Sequence, residues 1–243
     1  MTARIETTVI GEYGYEQALI GLGLSFGLTA DTSFEDLKAE ARSCKDSKIG
    51  RLAKVALKLA PKDGGHNKFL ESMQVWIDIN APRYWWSEFD TYRVGTSKQS
   101  ASTMHTLVKE MQRLEHSAKA QIAMSQNIIK CDTETWPIRE YYMKAFEWVE
   151  PATVDSKWDA VTDFAHKVIS MALIPEQADK LLYAKRTLLE GFMQRRIVST
   201  NYKVLRSVIL QRRGHRLPHW KMFVKDILAQ VEHPELLPSL EVD

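Results

Sequence analysis

The sequence predicts an α+β fold: a helix-rich single domain built around a small, mainly antiparallel sheet. Several long stretches place apolar residues three and four positions apart, which is the spacing of amphipathic helices. Three short stretches are β-branched or alternate polar and apolar side chains, as strands do. A chain of 243 residues can bury one full core, so residues 1–232 are predicted to form one domain. Two prolines interrupt residues 233–243, which are predicted to form a flexible tail.

The elements before residue 64 follow from local signals. A short β-branched stretch near the start predicts an edge strand, and the apolar stretch that follows predicts a helix broken near Gly23. Ser33, followed by Glu35 and Asp36, is typical of a helix start. A Pro-Lys-Asp-Gly-Gly run from Pro61 ends the next helix. The predictions are a strand at 4–10 and helices at 15–28, from 33 onward, and at 49–59.

The elements after residue 103 are predicted in the same way. Apolar stripes at helical spacing recur, and Pro151, Pro175 and the turn at 214–218 separate them. One stretch near residue 195 ends in β-branched residues and predicts a strand. The predictions are helices at 104–129, 138–149, 158–173, 175–183, 202–213 and 219–231, and a strand at 192–200.

The composition limits the classes of function. Hydrophobic residues make up 44% and charged residues 26%, and the net charge of +2 is too small to indicate a nucleic-acid or membrane partner by itself. We expect a cytoplasmic protein without a membrane span, because no apolar run is long enough and the first residues do not resemble a signal peptide. Cys44 and Cys131 have no metal-ligand spacing and are predicted to be free thiols. Phosphate-loop, zinc and serine-nucleophile motifs are absent from the sequence, so we expect no metal cofactor.

The stretch from residue 64 to residue 105 concentrates aromatic and charged side chains. An alternating segment at 74–80 predicts a half-buried strand, and residues 83–93 then combine large rings with four ionisable groups. Core strands seldom carry so many charges, because each buried charge needs a partner. The pattern therefore predicts a ligand wall, formed by Tyr84, Trp85 and Trp86. The alternative is a core strand followed by a solvated helix.

A second cluster, between residues 194 and 221, is strongly basic. The predicted helix there has an apolar stripe made of Tyr202, Leu205, Val208 and Ile209. Arg206 and Arg213 are seven positions apart beside that stripe, which puts both guanidiniums on one face of the helix. The spacing therefore predicts a fork, that is, a pair of arginines that bind one phosphate or carboxylate together. Arg212 projects onto the apolar face, so either the helix ends before it or a buried anion holds it. The alternatives for the whole cluster are a solvated basic face or diffuse RNA binding.

The order of these motifs resembles the flavin-dependent thymidylate synthases. The segments 66–71 and 75–79 resemble the His-containing segment and the strand of that family, and 96–102 resembles its Ser-rich run. Residues 200–206, 211–213 and 219–220 resemble its Thr-Gly-Asn-Leu-Arg, Arg-x-Arg and Ala-Gln-Trp segments. Where the family has Gln and an Arg-His-Arg trio, this chain has Glu88, Thr91, Tyr92 and Arg93. The ordered series covers about two thirds of the chain.

The resemblance implies a fold, an activity and a set of site residues. It implies a thymidylate synthase-complementing fold, and an enzyme that transfers a one-carbon unit from a reduced folate to C5 of a pyrimidine deoxynucleotide such as dUMP. It also implies FAD, which supplies hydride when reduced, and a homotetramer. The substrate-binding residues would be Arg213, Arg93, Glu88, Ser100 and Ser102. The cofactor-binding residues would be His66, Glu71, Tyr92, Asn201 and Arg206.

This chain has Glu88 where the family has Gln, and the difference leads to a hypothesis about the substrate. A carboxylate only accepts hydrogen bonds, whereas an amide both donates and accepts. Glu88 would therefore favour a base edge that carries an amino group, which suggests dCMP beside dUMP. Two other classes of function remain open: a non-catalytic binding or assembly protein with this fold, and, least favoured, a nucleic-acid-binding module that uses the basic cluster.

Overall fold

The computed structural model describes residues 5–27, 33, 35–36, 48–102 and 190–240. The predicted helices between residues 104 and 183, and both cysteines, lie outside these residues. The chain divides into two compact units. The described part of the first unit comprises residues 81–87, 100–102 and 190–195, and that of the second comprises 5–27, 33, 35–36, 48–80, 88–99 and 196–240. No helix in these ranges is long and apolar enough to cross a membrane.

The described elements are helices around a small sheet, which confirms the predicted α+β class. The sheet has four strands in the order β1-β2-β4-β3, and β1 and β2 are antiparallel. Two short 3-10 helices are also present, at Lys68–Glu71 and Pro234–Leu236. The strands are β1 (Glu6–Tyr13), β2 (Gln74–Pro82), β3 (Ser97–Ser100) and β4 (Met193–Asn201). The helices are α1 (Tyr15–Leu24), α2 (Lys48–Leu59), α3 (Arg83–Phe89), α4 (Tyr202–Arg212) and α5 (Pro218–Gln230).

Three elements differ from the sequence-based predictions. Residues 83–89 form helix α3, where the sequence predicts a ligand wall or, as the alternative, a core strand followed by a solvated helix. Residues 97–100 form strand β3, which was not predicted because its Ser-Lys-Gln-Ser sequence has no apolar alternation. Helix α1 is also shorter than predicted, since it ends at Leu24 rather than at residue 28. The predicted helix start near Ser33 is confirmed: the Ser33 hydroxyl oxygen accepts from the backbone N–H of Asp36 at 3.2 Å.

Strand β2 forms the centre of the core in the second unit. Its side chains alternate as predicted, and Val75, Ile77 and Ile79 are fully buried. Strand β1 pairs with β2 and lies at the end of the strand order, which confirms the predicted edge strand. The side chain of Gln230 accepts from Val9 N and donates to the Thr7 carbonyl, at 3.0 and 2.9 Å. Helix α5 thereby covers the exposed backbone of this edge.

Helix α4 begins where β4 ends, at Asn201. The Asn201 side chain accepts from the backbone N–H of Val204 at 3.0 Å and so caps the helix. The four residues of the predicted apolar stripe are all buried, which confirms that face of the helix. The Tyr202 hydroxyl donates to Glu12 and accepts from the backbone N–H of His233 at 3.1 Å. Burial and the hydrogen bond to the Glu12 carboxylate raise the pKa of Tyr202.

The C-terminal segment packs onto the second unit. Leu236 and Leu237 are buried beside the 3-10 helix Pro234–Leu236, and the ring of His233 stacks on Tyr15 at 3.5 Å. The structure thus has a short helix with two buried leucines where the sequence predicts a flexible tail. Pro234 begins this 3-10 helix and Pro238 follows it, and the two leucines between the prolines gain from burial.

Gly14 allows the tight connection between β1 and α1, and replacing it should destabilise the protein. Its φ is +93°, and an added Cβ would lie 2.3 Å from the carbonyl oxygen of Ser72. We expect Gly14→Ala to lower the free energy of unfolding by at least about 1–3 kcal/mol. Gly21→Ala is the matched control, because that glycine lies in α1 with nothing within 4 Å of an added Cβ. It should be neutral or stabilise by up to about 1 kcal/mol. Urea unfolding of both variants measures the difference, and equal effects would contradict the prediction.

Candidate functional site

The two tryptophans of the predicted ligand wall belong to the core of the first unit. Trp85 and Trp86 are 0% and 1% exposed, and their rings meet edge to face at 5.1 Å. The Trp86 indole N–H donates to the backbone carbonyl of Gln194 at 2.8 Å. A ring with no exposed surface cannot stack on a ligand, so of the three predicted residues only the half-buried Tyr84 has surface to offer.

The second unit contains a compact group of charged and aromatic side chains, which we call the Glu88 cluster: Glu88, Tyr92, Arg212, His215 and Trp220. The Oε2 atom of Glu88 accepts from Trp220 Nε1 at 2.7 Å and from Arg212 Nη1 at 2.9 Å. His215 Nε2 lies 3.6 Å from the same oxygen. Arg212 Nε donates to the Tyr92 hydroxyl at 2.9 Å, and this hydroxyl donates to the side chain of Gln211.

Arg212 is the centre of this cluster. The sequence left two explanations for an arginine on the apolar face of α4, and the structure has the second: the helix continues through Arg212 and a partly buried carboxylate holds it. The Arg212 and Glu88 side chains are 18% and 30% exposed. The Arg212 guanidinium also lies over the Trp220 ring at 4.6 Å and over the Tyr92 ring at 5.7 Å. Cation–π contact and ion pairing therefore hold the same group.

The cluster lies on an aromatic base. The rings of Phe89, Trp220 and Phe223 contact each other with centroids 5.9–6.1 Å apart. All three rings are buried. Hydrogen bonds and ion pairs beside such an apolar base are electrostatically stronger than the same contacts in water. The arrangement therefore holds a carboxylate in a fixed orientation at the edge of the core.

The two oxygens of Glu88 differ in their hydrogen bonds. Its Oε2 atom takes every hydrogen bond described above, and no described residue donates to its Oε1 atom. The Glu88 side chain retains 30% of its exposure. An ionised carboxylate oxygen of this kind accepts hydrogen bonds and cannot donate them.

A second charged group, not predicted from the sequence, lies next to Glu88. Arg196 Nη1 donates to both oxygens of Asp90 at 3.0 Å, and Lys98 Nζ lies 3.1 Å from one of them. Burial would raise the pKa of Asp90, but the hydrogen bonds from Arg196 and Lys98 outweigh it and hold this pKa below its ordinary value. Lys98 also donates to the carbonyls of Phe89 and Tyr92, at 3.2 and 3.1 Å, and so binds the C-terminal end of α3.

The residues predicted to bind the cofactor fall into two groups. Arg206 donates to the Pro61 carbonyl at 2.6 Å, and Glu71 pairs with Lys203. The exposed His66 lies between Pro61 and Glu71 in the sequence. The contacts of Arg206 and Lys203 define one face, formed by α4 and the segment 61–71, and His66 belongs to that segment. Tyr92 belongs to the Glu88 cluster, and Asn201 caps α4.

The residues predicted to bind the substrate are not all brought together. Arg213 Nη1 donates to the Ser239 carbonyl at 3.2 Å, whereas Arg206 contacts Pro61, so these two arginines contact different parts of the chain. Arg93 is exposed in the loop after α3. Ser100 and Ser102 are also exposed but belong to the first unit. The structure therefore does not form the fork of Arg206 and Arg213 that the helical spacing predicts.

The fold is that of the flavin-dependent thymidylate synthases. The thymidylate synthase X (ThyX) of Helicobacter pylori, solved with FAD and dUMP, superposes with a TM-score of 0.66 at 14% identity, over 98% of this chain and 99% of that chain. A second structure of that enzyme, complexed with FAD and dUMP, gives 0.65 at 15% identity, over 96% and 97%. The UMP/dUMP methylase PolB of Streptomyces cacaoi, bound with 5-Br dUMP, gives 0.54 at 12% identity, over 93% and 89%. No protein-family model and no curated protein matches the sequence.

Replacing Arg212 with lysine should destabilise the protein by about 1–3 kcal/mol. Lysine keeps the charge, but it has no planar group that can bond Glu88 and Tyr92 while it stacks on Trp220. The same exchange at the exposed Arg216 is the matched control and should cost less than about 0.5 kcal/mol. Urea unfolding of the two variants and the parent checks this. Equal losses in both variants would show that the guanidinium contacts do not stabilise the fold.

Asp90 should make the stability of the protein fall in acid. Its pKa is lowered in the folded state, so its contribution is present above the unfolded pKa of about 3.9 and is lost as the pH falls through the folded value. The parent should therefore lose more stability between about pH 6 and pH 3 than Asp90→Asn does. Asp63→Asn is the control, because the Asp63 side chain is 90% exposed. Urea unfolding at both pH values gives the slopes, and parallel curves for the parent and Asp90→Asn would contradict the assignment.

Proposed function

We propose that the protein is a flavin-dependent enzyme of the thymidylate synthase type, which transfers a one-carbon unit from a reduced folate to C5 of a pyrimidine deoxynucleotide. Structures with the same fold, over nearly the whole chain, were solved with FAD and dUMP or with 5-Br dUMP. The observation that carries the proposal is the Glu88 cluster. It holds a carboxylate with one open oxygen on an aromatic base, at the motif position where the resemblance puts substrate contacts.

The substrate would be held by its phosphate and by its base. Arg213 and the exposed Arg93 are our candidates for the phosphate, and Glu88 is the candidate for the base edge. Arg213 is a candidate because the planar guanidinium can bond a phosphate through two parallel N–H donors.

The residues on the face formed by α4 and the segment 61–71 fit the diphosphate of FAD. Arg206, Lys203 and His66 bring positively charged or hydrogen-bonding nitrogen groups to this face. Arg206 Nη1 lies 3.9 Å from Asp63, whose side chain is 90% exposed, so a phosphate can replace that weak partner. Glu71 would then set the orientation of Lys203. Tyr92 and Asn201, which are engaged inside the protein, are not part of this proposed flavin site.

The chemistry divides between the bound groups and the chain. When bound, reduced flavin would supply hydride and the folate would supply the one-carbon unit. The residues of the chain hold and orient the substrate. The arginines fix its phosphate and Glu88 fixes the edge of its base, while the buried rings beside Glu88 keep water from the Oε2 side of the carboxylate. We also propose that the protein assembles as a homotetramer, as the resemblance implies. Ile10, Tyr13 and Trp76 of the second unit are large apolar side chains with exposed surface that such an assembly would cover.

A non-catalytic binding protein is the second candidate, and Tyr92 favours it. This residue stands where the family has the His of its trio, and its hydroxyl is occupied by Arg212 and Gln211. A motif position that serves internal packing no longer contacts a cofactor. Flavin binding separates the two candidates, because only the enzyme requires it.

The parent protein should bind FAD, and the binding should depend on Arg206. We expect Arg206→Gln to bind FAD at least about tenfold more weakly, because a hydrogen bond to a charged group contributes about 1.5–3 kcal/mol. Lys221→Gln, at an exposed position of α5, is the matched control and should bind as the parent does. Titration followed by the flavin absorbance and fluorescence measures all three proteins.

Turnover then tests the reaction itself. With FAD, a reductant, a methylene-carrying folate and dUMP or dCMP, the parent should yield a nucleotide that is heavier by one CH₂ unit. A protein that binds pyrimidine monophosphates but neither binds FAD nor turns over supports the non-catalytic candidate. A protein that binds neither ligand contradicts the enzyme and is the result expected of an assembly protein with this fold.

A further inference from the structure

We infer that Glu88 is the specificity-determining residue of the proposed site and selects a pyrimidine that carries an amino group, so that a cytosine nucleotide is preferred to a uracil nucleotide. The inference rests on the proposed function, because it places a pyrimidine next to Glu88. It goes beyond that function in naming the class of base and the atom that recognises it.

The first step is that the two oxygens of Glu88 are not equivalent. Trp220 Nε1 and Arg212 Nη1 both donate to Oε2, at 2.7 and 2.9 Å. Both groups are obligatory donors, so the atom that faces them must be an acceptor. Two hydrogen bonds from α4 and α5 thereby fix the plane of the carboxylate and the direction of its other oxygen.

The second step is that Oε1 is a fixed acceptor. A glutamine at this position would have to turn its oxygen to the two donors, and its NH₂ group would then stand where Oε1 stands now. Glu and Gln have nearly the same shape, so the choice between them changes an acceptor into a donor at one point of the site. Arg212 compensates the charge of the glutamate, which allows the carboxylate to be partly buried here.

The third step compares the two bases. Cytosine carries an NH₂ donor at C4, at the end of its edge, whereas uracil has a carbonyl oxygen at that position. The only donor on the uracil edge is N3–H, which lies between two carbonyl oxygens that repel a carboxylate. An acceptor that faces another acceptor leaves both unpaired. A site built to hydrogen-bond an amino group therefore discriminates strongly against a base that has a carbonyl oxygen in its place. Glu88 therefore favours cytosine.

Binding of dCMP and dUMP to the parent and to two variants tests this inference. We expect the parent to bind dCMP at least about tenfold more tightly than dUMP, and Glu88→Gln to reverse that preference. Glu235→Gln is the matched control, because Glu235 is an exposed glutamate that pairs with His233. It should keep the preference of the parent. Isothermal titration calorimetry gives the two affinities for each protein.

The outcomes separate the inference from the proposed function. A parent that binds dUMP as tightly as dCMP, or more tightly, overturns the inference and leaves the proposed function intact. A parent that binds neither nucleotide overturns both. The comparison of the two nucleotides on the parent is decisive even if Glu88→Gln does not fold. If the variant folds and keeps the preference for dCMP, another residue reads the base and the inference is also overturned.

Discussion

The ion pair between Glu88 and Arg212, made against the ring of Trp220, is the contact on which this part of the structure depends. It joins the end of α3 to the end of α4 and to the first turn of α5, over a separation of 124 residues. A charge that is largely removed from water is costly unless it is paired and hydrogen-bonded. Removal of either partner would therefore leave the other uncompensated, and the three helix ends would lose their common contact.

The loop that follows α3 is held by hydrogen bonds to Thr200, near the end of β4. The Thr200 hydroxyl donates to the carbonyl of Gly95 at 3.1 Å and lies 3.3 Å from the Thr96 hydroxyl. Gly95 has a φ of +68°, and an added Cβ would lie 3.0 Å from the side chains of Asn201 and Val204. The loop therefore packs directly on the first turn of α4. Glu88 and Tyr92 reach Arg212 because both ends of their segment are fixed.

How far the sequence predicts this structure depends on the range of each interaction. The buried face of α4 and the start of α5 near Pro218 follow from local spacing and from proline, and they were predicted well. Strand β3 was missed because its polar residues are held by the backbone of a neighbouring strand, which leaves no periodic signal. The partners of Arg212 are distant in the sequence and could not be named from it. Its position on an apolar face left two possibilities, a helix that ends before it or a buried anion, and the structure has Glu88 as the anion.

The two main departures from the resembled family both involve the same residue, Arg212. Glu88 and Tyr92 replace the Gln and the His of its motifs, and both contact the same guanidinium, at 2.9 Å in each case. Buried polar groups without hydrogen-bond partners are costly. Here Glu88 Oε2, the Tyr92 hydroxyl and Trp220 Nε1 are all paired. These paired groups lie around Arg212, and no described residue donates to the other oxygen of Glu88.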